Sequence, residues 1–209
     1  MPAIVAIAFS LLTGAAYAQD YYVSLGVGPI IPFDADARLS GRLTQSSSLQ
    51  FNAAGFIAGF VGYQVTDRIA VEGEFGWSLY DPRRFANIPL NGDFDTLLGV
   101  VHGIYRPFGS LGRWTPYVGA GIGAAVLNWS VSAQPQATTQ FDVRGSSVNL
   151  ALDGVLGLDY AITPHFSMGG RYRYLWLNTD GGTLTGSGVT LTHGNAQAHT
   201  LMATGSYRF

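Results

Sequence analysis

Cysteine and lysine are both absent from this 209-residue chain, and charged residues of any kind are scarce. Without cysteine, the chain has no disulfide framework, no thiolate metal site and no cysteine nucleophile. Charged residues make up 11% of the chain, about half the share of a typical soluble domain, and the net charge of −2 leaves no basic surface for nucleic acid. After the N-terminal region, no apolar run reaches the roughly 18 residues of a transmembrane helix. A membrane barrel, a β-sandwich or a secreted β-protein remains.

The N-terminal region has the features of a signal peptide. Residues 4–12 form a short apolar run, and the small residues Ala16 and Ala18 predict cleavage before Gln19. Neither Lys nor Arg precedes the run, which leaves open whether Met1 is the true start. We predict a signal peptide over residues 1–18 and one domain over residues 19–209.

Glycine is abundant, with 28 residues, and apolar residues alternate with small or polar ones along most of the chain. A period of two predicts β-strands with one apolar face. The strands are predicted at 20–28, 51–65, 69–79, 94–106, 115–129, 146–162, 166–177 and up to Phe209. Short turns alternate with long polar loops, which are predicted at 29–50, 80–93, 130–145 and 178–194. This order predicts an all-β fold, an eight-stranded antiparallel up-and-down transmembrane β-barrel.

Aromatic residues lie near both ends of the predicted strands. The tryptophans lie near the long loops, and the tyrosines lie near the short turns. Two aromatic girdles of this kind are typical of the two interfaces of a membrane barrel. The predicted girdle residues are Trp77, Trp129, Trp176, Tyr63, Tyr105, Tyr117 and Tyr160.

The chain resembles the small outer-membrane β-barrel family, the OmpA/OmpX-like and opacity-type surface proteins often called porin-family proteins. The resemblance is carried by TPYVGAGIGAAV (115–126), GYQVTDRIAVEGEFGW (62–77), LDYAITPHFSMGGRYRYLWL (158–177) and the terminal GSYRF. It implies a protein of the Gram-negative outer membrane, inserted by the barrel-assembly machinery and surrounded by lipids that include lipopolysaccharide. It also implies that Tyr207 and the terminal Phe209 form the assembly signal. It implies no cofactor.

Six charged residues fall on inward-facing positions of three predicted strands: Glu72, Glu74, Asp153, Asp159, Arg171 and Arg173. The interior of an eight-stranded barrel is only wide enough for side chains to fill. We therefore predict a lumen ion-pair network that plugs the barrel, with the arginines reaching toward the glutamates and aspartates. A gated narrow pore and a carboxylate metal site are the alternatives. We predict no metal site, because the interleaved arginines oppose a cation.

The predicted function is a structural one, in envelope integrity and in adhesion-type contact with a host or surface ligand through four extracellular loops. A narrow pore for small solutes and a lipid-modifying enzyme are the alternatives. His165-x-Ser167 is similar to the His/Ser pair of a lipid A deacylase barrel, but it lies at a predicted periplasmic turn without a carboxylate to orient it. We predict no enzyme, a hydrogen-bonding role for His102 in the lumen, and solvated positions at the rim for His193 and His199.

Overall fold

A computed structural model describes residues 20–33, 35–41, 45–51, 53–80, 82–85, 88–133, 141–179, 184–186, 189–193 and 195–209. The predicted signal peptide lies outside these residues. Within them, no helix is long and apolar enough to span a membrane. The strands are β1 (Tyr21–Pro32), β2 (Ala35–Gly41), β3 (Gln45–Phe51), β4 (Ala54–Gln64), β5 (Ile69–Tyr80), β6 (Pro82–Phe85), β7 (Ile88–Tyr105), β8 (Trp114–Ala133), β9 (Phe141–Ala161), β10 (Phe166–Asn178), β11 (Leu184–Gly186), β12 (Val189–His193) and β13 (Ala196–Arg208).

Eight of these strands close into a barrel. Each pairs antiparallel with its neighbours in the order β1, β4, β5, β7, β8, β9, β10, β13 and back to β1. The seam between the first and last strands pairs Tyr22 with Arg208 at one end and Pro32 with Ala198 at the other. The predicted eight-stranded antiparallel barrel is therefore confirmed.

Alternation along each strand sets which side chains enter the lumen. On β9, Leu156 is 54% exposed on the outer face, whereas its neighbour Val155 is 1% exposed inside. The same alternation places Phe75 on the outer face of β5 and Glu74 inside. Contact with lipid requires an apolar outer face. The register of the strands is therefore strongly specified, because a shift of one residue would turn every inward charge toward the hydrocarbon.

The short turns lie at one end of the barrel. Thr66 begins the β4–β5 turn, where its Oγ1 accepts a hydrogen bond from the Ile69 amide at 3.0 Å. Thr163 does the same for the Phe166 amide at 2.9 Å in the β9–β10 turn. A threonine hydroxyl oxygen thus accepts a hydrogen bond from a backbone amide at two tight reversals, as such side chains do in turns.

The four long connections contain strands, so their prediction as loops is wrong for the described residues. β8 and β9 run for 20 and 21 residues, whereas a membrane-crossing strand needs about 9–11. Beyond the bilayer the sheet continues from β7 through β6, β3, β2 and β12 to β11, which lies against β9. We call this continuation the outer wall. Its strands form because each pairs its backbone groups with the next strand of the sheet, beginning with β6 on β7. A polar composition does not prevent this pairing.

Candidate functional site in the barrel lumen

The first ion pair of the lumen joins β5 to β10 across the barrel. Arg171 Nη1 donates to Glu72 Oε1 at 2.6 Å, and Nη2 donates to Oε2 at 3.1 Å. Tyr22 and Tyr117 complete the arrangement: the Tyr22 hydroxyl donates to Glu72 at 3.0 Å, and Arg171 Nε donates to the Tyr117 hydroxyl at 3.0 Å. All four side chains are buried. A two-point arginine–carboxylate contact with these supports fixes both side chains in one geometry.

The second ion pair lies one inward position nearer the outer wall. Arg173 Nη1 donates to Glu74 Oε1 at 2.5 Å, and both side chains are fully buried. Arg173 also donates to Thr200 at 3.3 Å, and its guanidinium lies 4.4 Å from the centre of the Phe56 ring. The aromatic face provides a further favourable contact for a desolvated cation.

A histidine and an aspartate extend this layer along the barrel wall. His102 Nε2 lies 2.9 Å from Asp153 Oδ2 and 3.7 Å from Glu74 Oε2. His102 and Asp153 belong to β7 and β9, and both pair with Gly121 of the intervening β8. The His102–Asp153 contact therefore crosses over a residue that has no side chain.

Asp159 differs from the other five predicted charges. Among the described residues it makes no ion pair within 4 Å, and its partners across the two ladders are Gly169 and Thr115. The arginines pair with the glutamates across the lumen, and Asp153 pairs with His102. The prediction that the arginines also reach the aspartates of β9 is thus wrong at the level of direct contacts. Both guanidinium groups instead bind the glutamates of β5 on the opposite wall of the barrel.

An apolar cluster fills the lumen between the ion pairs and the outer wall, and we call it the apolar plug. Its buried members include Ile30, Phe56, Leu98, Leu175 and Leu177. The aromatic rings fit because inward glycines leave space: a Cβ on Gly76 would meet the ring of Phe56. The sequence analysis did not predict the apolar plug, because the lumen was expected to be polar. The apolar residues at inward positions of β4 and β10 were the pattern that could have predicted it.

The other end of the lumen is open. A cavity of about 620 Å³ lies beside the short turns and is lined by charged residues that include Arg106, Asp159, Arg208 and Asp67. Arg106 donates a hydrogen bond to Gln64 there. The Glu72–Arg171 pair borders the cavity on its inner side. The lumen thus changes from a polar vestibule to a charged layer and then to the apolar plug.

Glu74, His102 and Asp153 contain the donor types that bind a divalent cation. One ligand atom from each lies within 4.8 Å of the other two. However, Arg173 is already bound to Glu74, and its guanidinium would face any ion held there. The short His102–Asp153 contact and the Arg173–Glu74 pair account for the arrangement as a hydrogen-bonded charge layer without a cation.

The outer face holds the predicted girdles, with one correction. Tyr63, Tyr105 and Trp77 are more than 40% exposed, and Tyr160 and Trp176 are half-buried. The side chain of Trp129 lies outside the described part of the chain. Tyr117 is wrong as a girdle residue, because it is 4% exposed and points into the lumen. The aromatic at that end of β8 is Trp114, whose ring centre lies 4.7 Å from that of Tyr160.

The two residues of the predicted assembly signal lie at the end of the seam. Tyr207 is exposed on the outer face, and its ring centre lies 5.3 Å from that of Phe209. The Phe209 amide donates to the Tyr21 carbonyl at 3.2 Å. Their role as an assembly signal stays a prediction.

A model of the outer membrane protein beta-barrel domain matches residues 2–209, which is nearly the whole chain. The chain belongs to this outer-membrane β-barrel family. It is a protein of the Gram-negative outer membrane, and its apolar outer face contacts lipid. No curated protein matches the chain.

Solved structures of other outer-membrane proteins share the fold. OprG from Pseudomonas aeruginosa is 15% identical, with a TM-score of 0.59 over 92% of this chain and 97% of OprG. Neisserial surface protein A is 20% identical, with a TM-score of 0.54 over 90% and 97% of the two chains. A major outer membrane protein from Thermus thermophilus is 13% identical, with a TM-score of 0.57 over 91% and 99%. At these identities the likeness shows the fold alone.

Gly121 gives a test of the charged layer in this outer-membrane barrel. A Cβ at this position would meet Asp153 Oδ1 and would lie 2.5 Å from the His102 ring. We expect Gly121→Ala to destabilise the barrel by about 1–3 kcal/mol, the usual cost of overpacking. Urea unfolding in lipid vesicles measures this. The control is Gly103→Ala on β7, because a Cβ there meets nothing within 4 Å. An equal effect of both substitutions would contradict the role assigned to Gly121.

Proposed function

We propose that this outer-membrane barrel is a closed, non-conducting envelope protein that stabilises the membrane around it and contacts surface ligands through its outer wall. The single observation that carries the proposal is the filled lumen. Two ion pairs cross the barrel, and the apolar plug covers them on the side of the outer wall. Ions would have to cross both a fixed charge layer and the apolar plug.

The outer wall supports the part of the proposal that concerns surface contact. β8 and β9 extend about ten residues past the length that a bilayer needs, which corresponds to roughly 25 Å for strands tilted as in membrane barrels. The paired strands of the outer wall present an ordered surface at that distance, beyond the lipid headgroups. Preorganised segments bind a partner with less loss of conformational entropy than free loops do.

A narrow pore is the second candidate, and the polar vestibule favours it. Planar-bilayer recording separates the two functions. We expect no steady conductance from the native protein at neutral pH, because the charge layer and the apolar plug lie in series. A steady open channel would overturn the closed-barrel proposal and establish the pore.

The surface-contact role needs its own test. We would replace residues 184–193 with a short turn in cells that express the protein, and compare attachment and detergent sensitivity with those of the native strain. Reduced attachment with unchanged heat-modifiability of the barrel would support contact through the outer wall. Unchanged attachment would contradict it.

A further inference from the structure

The polar vestibule at the short-turn end of the lumen contains a buried cation that has no carboxylate partner. Arg106 is 8% exposed and lines this cavity. Its Nη1 donates a hydrogen bond to the amide oxygen of Gln64. Within the described part of the chain, no carboxylate lies within 4 Å of its guanidinium. Because a buried charge is costly unless it is paired, this guanidinium favours an anionic group in the cavity.

A carboxylate without a contact partner lies in the same cavity. Asp159 lines the vestibule, and no cation of the described residues lies within 4 Å of its carboxylate. Arg106 and Arg208 act on that carboxylate electrostatically from beyond this distance. The vestibule therefore presents two charges of opposite sign that are not neutralised by direct contact. A ligand of one sign only would be attracted by one of them and repelled by the other.

A niche beside Asp159 suits the positive end of a ligand. Gly169 of β10 pairs with Asp159 on β9 and with Thr204 on β13. A Cβ on Gly169 would lie 2.2 Å from Asp159 Oδ1 and 3.0 Å from Thr204 Oγ1, so both oxygens reach over the glycine. Thr204 is 5% exposed and lines the cavity, and its hydroxyl has no hydrogen-bond partner. Two acceptor oxygens side by side match an ammonium group, which has three hydrogens to donate.

The size and the openings of the vestibule limit what can enter. Its volume of about 620 Å³ lies within the usual range of small-ligand sites, roughly 300–1,000 Å³. The Glu72–Arg171 pair borders it on the inner side, and the apolar plug lies beyond the charge layer. Because the short turns of outer-membrane barrels are periplasmic, a ligand enters from the periplasm.

We infer that the vestibule binds a small zwitterionic solute, an α-amino acid or a short peptide. The ligand carboxylate lies on the Arg106 guanidinium, which can donate two parallel hydrogen bonds to it. The ligand ammonium group lies over Gly169, between Asp159 and Thr204. The site does not depend on the proposed closed barrel, because the ligand reaches it without passing the plug.

Nuclear magnetic resonance of the isotope-labelled barrel in lipid nanodiscs tests the inference on the native protein. The probes are alanine and trialanine, which carry both charges, N-acetylalanine, which lacks the ammonium group, and alaninamide, which lacks the carboxylate. We expect saturable shifts of the vestibule amides with alanine or trialanine. Each analogue should bind at least about tenfold more weakly, as for the loss of one hydrogen bond to a charged group.

Three variants place the two ends of the ligand. Arg106→Gln should weaken binding about tenfold, because the ligand carboxylate loses a charged donor. Thr204→Val should weaken it about fivefold, and it should leave the fold intact because the native hydroxyl has no partner to lose. The matched control is Arg113→Gln, at an exposed arginine in the β7–β8 turn at the same end of the barrel, which should bind as the native protein does.

Several outcomes would overturn the inference. N-acetylalanine that binds as tightly as alanine and trialanine would show a simple anion site, and alaninamide that binds as tightly would show a simple cation site. The absence of saturable shifts with every probe would show that the vestibule holds only water. Native affinity in Arg106→Gln or Thr204→Val would contradict the placement of the ligand. The tighter binder of alanine and trialanine shows whether free amino acids or peptides are the source, and either supports the inference.

Discussion

Replacing Glu74 with alanine is expected to destabilise the barrel by about 3–5 kcal/mol, the range measured when one partner of a buried ion pair is removed. Arg173 is fully buried, and Glu74 is the carboxylate to which it is bound. The Phe56 ring and the Thr200 hydroxyl that remain beside it carry no formal charge. The free energy of unfolding, measured in urea on protein refolded into vesicles, gives the effect.

Two comparisons make this result specific. Asp67→Ala, in the exposed β4–β5 turn, should change the stability by no more than about 0.5 kcal/mol. Glu74→Leu combined with Arg173→Met should recover much of the loss, because an apolar pair of similar volume no longer contains a buried charge. If Glu74→Ala and Asp67→Ala lower the free energy of unfolding equally, then Arg173 is hydrated and water enters the lumen around it.

The second large effect is expected on the outer face. Leu156 lies four residues from Tyr160 on β9 and is 54% exposed, which places it near the middle of the bilayer. Leu156→Arg should cost about 2–4 kcal/mol, the depth-dependent penalty for arginine at the midplane of a barrel. The same vesicle-based unfolding experiment measures it.

Depth provides the control for this prediction. Leu150 lies on the same strand and the same face, six residues nearer the outer wall, and is 45% exposed. Leu150→Arg should cost only about 0–1 kcal/mol, because arginine near the interface reaches water. Equal costs at the two positions would show that the assignment of bilayer depth is wrong.

Most of the barrel could be predicted because its outer face obeys one strong constraint. Leu156, Phe75 and Leu201 meet lipid, so a shift of one residue would expose charges to hydrocarbon, and the period of two remains visible in the sequence. The failure at Tyr117 occurred where this signal is weakest. The following residues alternate Gly119, Ala120 and Gly121, which are small on both faces, so composition does not reveal which side of β8 faces the lumen.

Contacts inside the lumen were harder to predict than the face on which each residue lies. Alternation identifies Glu74, Asp153 and Arg173 as inward residues, but it does not say which of them meet. Pairing depends on the shear between strands and on gaps such as Gly121, both of which are tertiary properties. The strands of the outer wall were missed for a similar reason, since their stability comes from pairing with neighbouring strands rather than from their own sequences.

The seam between β1 and β13 also determines when the barrel can form. The Ser24 hydroxyl donates a hydrogen bond to the Ser206 hydroxyl across the seam at 2.8 Å, although the two residues lie 182 positions apart in the chain. Pairing between residues so far apart in the chain is non-local, and such pairing slows folding. Until β13 arrives, both edges of the sheet present unpaired backbone groups that can join another chain. A partly assembled barrel therefore keeps two open edges until β13 pairs with β1.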